Sequence, residues 1–370
     1  MLDVKSNALS AYERLAETLN KIPNGFAKTS DGTHLKILQW IFTEDEAELT
    51  SKMKLKGETV EELAERLKIP KAGLKEKLET MHEKGQITVY NTREGRKYGL
   101  MPFAVGIYED QWKRMDVEFA QLVEDYFQKA ASVGDQLFDT DPSIFRVVPI
   151  NRVIKPELEI FPYETAEEMI KNAKSWGVRD CICKQQKELI QEPCKVTTNK
   201  AVCLPFSPKE NSFDNDLFTD PITKEQALDY LRQAEEDGLV HCTMNIREGH
   251  YYICNCCTCC CGVLRGLTER NQPKAFVKSN FIMSVDEELC VGCGTCVDRC
   301  QFGALEVPDD LLIINDANCI GCGVCAIVCP EDALELISRD DSEKIEPPDD
   351  FMDWMTKKAI SRQVDPSDLL

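Results

Sequence analysis

No apolar run in this chain approaches the ~18 residues that a membrane-crossing helix needs. The start, MLDVKSNALSAYERL, has neither the apolar core nor the small-residue cleavage site of a signal peptide. The expectation is a cytoplasmic protein without a membrane span. Also missing are G-x-x-x-x-G-K-[ST] and any G-x-G-x-x-G between a strand and a helix, so no ATP, NAD or flavin site is expected. Histidine is down to four residues, and no Ser/His/Asp or Cys/His set stands out. Positive charge is in deficit, with 44 Lys and Arg against 64 Asp and Glu, a formal net charge of −20. Polyanions are bound by neutralising phosphates with Lys and Arg. Broad nucleic-acid affinity is therefore not expected, and a positively charged protein partner is easier to accommodate.

Cysteine is abundant, at 19 residues. Disulfides at such density belong to small secreted folds, so in a large chain read as unexported the thiols point to metal. Eight of them form two copies of C-x2-C-x2-C-x3-C about 29 residues apart, Cys290, Cys293, Cys296, Cys300 and Cys319, Cys322, Cys325, Cys329. Three thiolates spaced by two residues let a short loop wrap one face of a cubane. Gly292, Gly294, Gly321 and Gly323 let the backbone approach and turn amides toward sulfur. Structural zinc prefers two separated pairs of ligands, whereas each half here is a triplet plus one, which suits iron–sulfur.

In these residues the chain resembles two-cluster bacterial ferredoxins. The resemblance implies two [4Fe–4S] clusters, one on Cys290, Cys293, Cys296 and Cys329, the other on Cys319, Cys322, Cys325 and Cys300. One departure is that Gln301 follows the fourth cysteine of the first copy, where Pro330 follows that of the second.

The remaining thiols form two groups, Cys181, Cys183, Cys194 and Cys203, then Cys254, Cys256, Cys257, Cys259, Cys260 and Cys261, with His241 and Cys242 just upstream. Cys242 and Cys203 also read as small buried hydrophobes, but six thiols within eight residues do not. They are candidate ligands of one or two additional iron–sulfur clusters. Cys181, Cys183 and Cys194 with part of the 254–261 run make a natural set, with a non-standard cluster or zinc as the next reading and the partition open. His241 reads more readily as an ordinary core or surface histidine than as a ligand. Residues 160–338 also resemble multi-cluster ferredoxin-like proteins of anaerobes, on CICK, Cys194, Cys203, EEDGLVH, ICNCCTCCCG and the repeat. That resemblance implies an accessory electron carrier.

The expected fold class is α+β multidomain. Residues 1–135 read as a helical and winged-helix-like domain, and 136–162 as a proline-punctuated connector. A cysteine-rich α+β domain follows at 163–280, a dicluster ferredoxin fold at 281–340, and an acidic tail with a short amphipathic helix at 341–370. Apolar periodicity predicts helices from Leu35 to Met53 and over 112–132. Within 58–100, two helices, a strand QITVY, a polar turn NTREGR and a return strand KYGL resemble a winged helix-turn-helix. Its recognition helix would be 71–84 and its wing would carry Arg93, Arg96 and Lys97. The segment's net charge is only +1, so DNA binding is disfavoured against protein contact. The expected function is single-electron transfer, as an accessory subunit of an anaerobic oxidoreductase system rather than a complete enzyme. Its partners would be an oxidoreductase subunit or another ferredoxin, with oligomeric state open. An iron–sulfur redox-sensing transcriptional regulator using the winged helix is the alternative.

Overall fold

The structure, a computed structural model, describes residues 9–93, 95–132 and 138–370; residues 1–8, on which the reading of the chain start partly rests, lie outside them. Two compact units emerge, Met1–Leu137 with Lys358–Leu370, and Phe138–Lys357.

The first unit opens with α1 (Ala11–Lys21), α2 (Thr33–Ile41) and α3 (Glu44–Thr50). The single helix expected from Leu35 to Met53 is two helices. Phe42 turns extended and Thr43 forms a capping box with Glu46, a device worth roughly 1 kcal/mol that starts a new helix. Leu15, Leu19, Ile37 and Leu38 form a fully buried core. Next come α4 (Val60–Leu67), α5 (Leu74–Glu83) and the hairpin β1 (Thr88–Thr92) and β2 (Gly95–Gly99), with Thr88 opposite Gly99. Tyr98 is buried and donates to Glu79 at 2.5 Å. The helix expected over 112–132 begins later, as α6 (Val117–Ser132), because Asp116 Oδ1 accepts the Phe119 N–H at 2.8 Å and caps it. The last residues pack in this unit too: Leu369 O accepts from Leu55 N at 2.7 Å, and Arg362 Nη1 donates to Pro23 O at 3.0 Å.

The second unit is built on a seven-stranded sheet. In chain order its elements are β3 (Phe145–Val147), α7 (Ala166–Asn172), β4 (Ser175–Asp180), α8 (Ile182–Leu189), β5 (Ala201–Ser207), β6 (Asp220–Ile222), α9 (Lys224–Asp237), β7 (Val240–Met244), β8 (Tyr252–Cys256), α10 (Gly262–Arg270) and β9 (Phe276–Val277). The strand order is β6-β4-β5-β8-β7-β3-β9, antiparallel except for β3–β9. Helix α9 starts at a Thr223/Gln226 capping box and stops at Gly238, whose φ of 85° suits glycine. Ile170, Val178, Leu204, Leu231 and Ile253 form the core beside it.

After the sheet come β10 (Phe281–Val285), α11 (Thr295–Arg299), β11 (Leu305–Glu306), β12 (Ile313–Ile314) and β13 (Leu334–Ser338). Strands β10 and β13 pair antiparallel, as do β11 and β12, around a core of Phe281, Met283, Leu305 and Leu336. Part of 136–162 is woven into this region. Ile154 joins its core, Ile150 N donates to Cys322 O and Lys155 N to Leu336 O, both at 3.0 Å. Helix α12 (Phe351–Arg362) carries Trp354 fully buried, its Nε1 donating to Ser143 O at 3.0 Å.

Candidate metal centres

The two cysteine repeats line two cavities. One is bordered by Cys290, Cys293, Cys296 and Cys329, the other by Cys300, Cys319, Cys322 and Cys325. Each triplet is thus completed by the last cysteine of the opposite repeat. The repeats also match in their amide bonds: Ala304 N donates to Cys300 Sγ at 3.4 Å, and Ala333 N to Cys329 Sγ at 3.3 Å. Such bonds favour anionic sulfur. Gly292 and Gly321 have φ of +65° and +69°, and a Cβ would collide with the carbonyls of Asp310 and Phe281, so the loops close only with glycine there. Hydrogen bonds from Thr295 pull the exposed Cys293 thiol down, whereas burial pushes Cys322 up to about 12. Four convergent thiols with backbone N–H donors are a donor set that fits a [4Fe–4S] cluster in each cavity.

A third four-thiol group lies upstream. The sulfurs of Cys194, Cys257, Cys259 and Cys260 all fall within 4.8 Å of one another. Cys194 stands 3.6 Å from Cys257 Sγ and 3.8 Å from Cys259 Sγ. The thiols of Cys257, Cys259 and Cys260 and the Lys184 ammonium drive Cys194 strongly toward thiolate. Lys184 Nζ sits 2.9 Å from Cys194 Sγ and 3.7 Å from Cys257 Sγ. Burial opposes its charge, but Cys257 and Cys194 outweigh that and hold the ammonium above its ordinary range. Lysine carries no motif that would mark it in the sequence.

The quartet does not include Cys181 or Cys183, which the sequence grouped with Cys194, although both pack against the core that holds Cys257 and Cys260. Both sit at the start of α8, and Cys183 meets Cys261 instead. Cys254 and Cys256 lie on β8, beside Cys203 and Cys242. His241 lies on β7 opposite Asn255. Its Nδ1 meets Asn255 Oδ1 at 2.6 Å, and its Nε2 lies 3.5 Å from Glu235.

Gln301 has a definite role. Its Oε1 accepts from Thr258 N at 2.8 Å, and its Nε2 donates to Gly238 O at 2.6 Å. It thereby fastens the residue after Cys300 to the loop between Cys257 and Cys259. Arg339 grips the second cavity from outside, donating to Cys319 O at 2.7 Å and Ser279 O at 3.0 Å. On the hairpin of the first unit, Arg96 pairs with Glu79 at 2.9 Å, and nearby Arg66 pairs with Glu58. Acidic neighbours thus answer charge that phosphates would need.

Residues 283–306 and 312–335 each match the family of 4Fe-4S binding domains. No curated protein and no solved structure matches the chain. The match and the cysteine clustering mark a ferredoxin-like region with an iron–sulfur electron-transfer role. Among the described residues, no helix is long and apolar enough to cross a membrane.

Proposed function

We propose that this protein is a multi-centre iron–sulfur electron carrier, working as an accessory component of an oxidoreductase system. Cys290, Cys293, Cys296 and Cys329 hold one [4Fe–4S] cluster and Cys300, Cys319, Cys322 and Cys325 a second, whereas Cys194, Cys257, Cys259 and Cys260, with neighbouring sulfurs 3.5–3.8 Å apart, match the edges of a thiolate tetrahedron around a single iron. Bound clusters of this kind supply one-electron chemistry, at potentials set by hydrogen bonds to sulfur and by solvent access. The observation that carries the reading is Gln301, whose side chain bonds the loop of the third quartet directly to the residue following Cys300. That bond holds the loop of the third quartet against the lining of the second cavity, as a chain of centres requires.

The outward end is the Cys293 side. Cys293 is exposed, and Leu289 and Val291 beside it are 48% and 60% exposed. Asp286, Glu287 and Glu288 are exposed next to them. Apolar contact inside an acidic rim suits a basic redox partner, steered by charge. The module of α4, α5 and the β1–β2 hairpin reads as winged-helix-like and contacts protein rather than DNA. Anaerobic purification with iron analysis and EPR tests the reading. At least ~8 iron per chain with reduced [4Fe–4S] signals is expected from the two four-iron clusters, and one further iron without inorganic sulfide from the Cys194 quartet. Zinc on the Cys194 quartet takes that centre out of the electron path, and zinc in place of iron in the two ferredoxin cavities sinks the proposal.

A further inference from the structure

Once the three quartets are taken, seven cysteines remain, and the fold gathers them. Cys203 on β5 and Cys242 on β7 both lie opposite Cys254 on β8. Cys256 is two residues along, so the four share one face of the sheet. Cys181 stands at the N-cap position of α8, Cys183 lies in its first turn, and Cys261 stands at the N-cap position of α10. Thiol-to-thiol contacts run from Cys203 to Cys254, Cys256, Cys261, Cys183 and Cys181, with Cys242 branching from Cys256. Cys181 in turn interacts with Cys203, closing the arc.

Three ordinary uses fit poorly. An odd number of thiols cannot all pair as disulfides. One zinc ion takes four ligands and would leave three further thiols crowding its thiolates. A chance hydrophobic cluster gives no reason for amides aimed at sulfur. Here the amides of Lys184, Gly262 and Leu264, at the starts of α8 and α10, lie toward the sulfurs of Cys181, Cys183 and Cys261 without making the full hydrogen bonds that Ala304 N and Ala333 N make to the ferredoxin thiols. Two helix N-termini thus meet where negative charge would gather. The donors are sulfur alone, since His241 is engaged by Asn255 and faces Glu235, and such soft sets select iron–sulfur over harder metals.

We propose that this arc binds a further polynuclear iron–sulfur centre, separate from the Cys194 quartet. Cys181, Cys183, Cys256 and Cys261 are its principal thiolates, and Cys242, Cys254 and Cys203 form the sulfur-rich floor behind them. The proposal rests on the iron–sulfur reading above. Lys184 joins the two neighbouring groups, its backbone N–H near Cys181 and its ammonium on Cys194.

The test is metal and sulfide content of the full chain purified without oxygen, with EPR and Mössbauer spectra. The unsubstituted protein should hold ~12 inorganic sulfide per chain, whereas ~8 overturns the proposal without variants, since the two ferredoxin cubanes account for that much and a single metal on the Cys194 quartet brings none. The double variant Cys183→Ala/Cys261→Ala should lose ~4 iron and keep the ferredoxin signals. The variant Cys194→Ala/Cys259→Ala should retain the iron that the first one loses. Equal iron in the first variant and the parent, or stoichiometric zinc on the arc, refutes the site. Loss of ferredoxin signals from the parent would instead bring down the broader reading.

Discussion

Replacing Lys184 with Met probes the electrostatics of the Cys194 quartet. The ammonium lies 2.9 Å from Cys194 Sγ, and the residue is only 3% exposed, so water screens it little. With ~5 Å between this charge and an electron added at the centre, and an effective dielectric of ~20, the attraction is roughly 3 kcal/mol. About 60 mV corresponds to 1.4 kcal/mol for a one-electron couple, so the effect is on the order of 100 mV. The ammonium favours the more negative, reduced state. Lys184→Met should therefore lower that centre's midpoint, and Lys184→Arg should restore most of it. An EPR-monitored redox titration of variants with parental iron content reads this directly. An unchanged midpoint in Lys184→Met refutes the reasoning, as does a shift of equal size in the ferredoxin signals.

Cys300→Ala should abolish the cluster of the Cys319, Cys322 and Cys325 cavity and spare the one beside Cys290, read by EPR of the reduced protein; the opposite loss would break the cross-repeat assignment. Trp354→Ala, which empties a fully buried site and orphans Ser143 O, should cost about 3–5 kcal/mol in urea unfolding. A neutral result would mean that the tail packs less tightly than described. Burial holds His250 down to about 4, whereas the unfolded chain binds that proton near pH ~6.5. The unfolded state thus holds more protons within this window, and stability falls as pH drops from ~6.5 toward 4. Replacing His250 with Gln should remove roughly 3 kcal/mol of that loss.

Chemistry with a fixed local spacing was legible in the chain. The cysteine repeats place three thiols on one short loop, and Thr223 with Gln226 and Gly238 mark both ends of α9. The Thr43–Glu46 box that splits the helix expected from Leu35 was equally present, but apolar periodicity ran across it. The partition of the upstream thiols is different in kind. It depends on the β5–β8–β7 register and on two helix starts meeting, which no spacing in the chain encodes. Lys184, Gln301 and Arg339 escape for a related reason: each is an ordinary polar residue until its distant partners arrive.

The crossing of the two repeats has a consequence in time. Cys290, Cys293 and Cys296 share their cavity with Cys329, and Cys300 shares its own with cysteines made later. Cys194 likewise waits for Cys257, Cys259 and Cys260. No four-thiol ferredoxin nest is therefore finished until the second repeat has been made, the one at Cys325 and the other at Cys329. A chain interrupted before Cys329 would present the open triplet of Cys290, Cys293 and Cys296 to any metal at hand, so loading of both nests follows synthesis of both repeats.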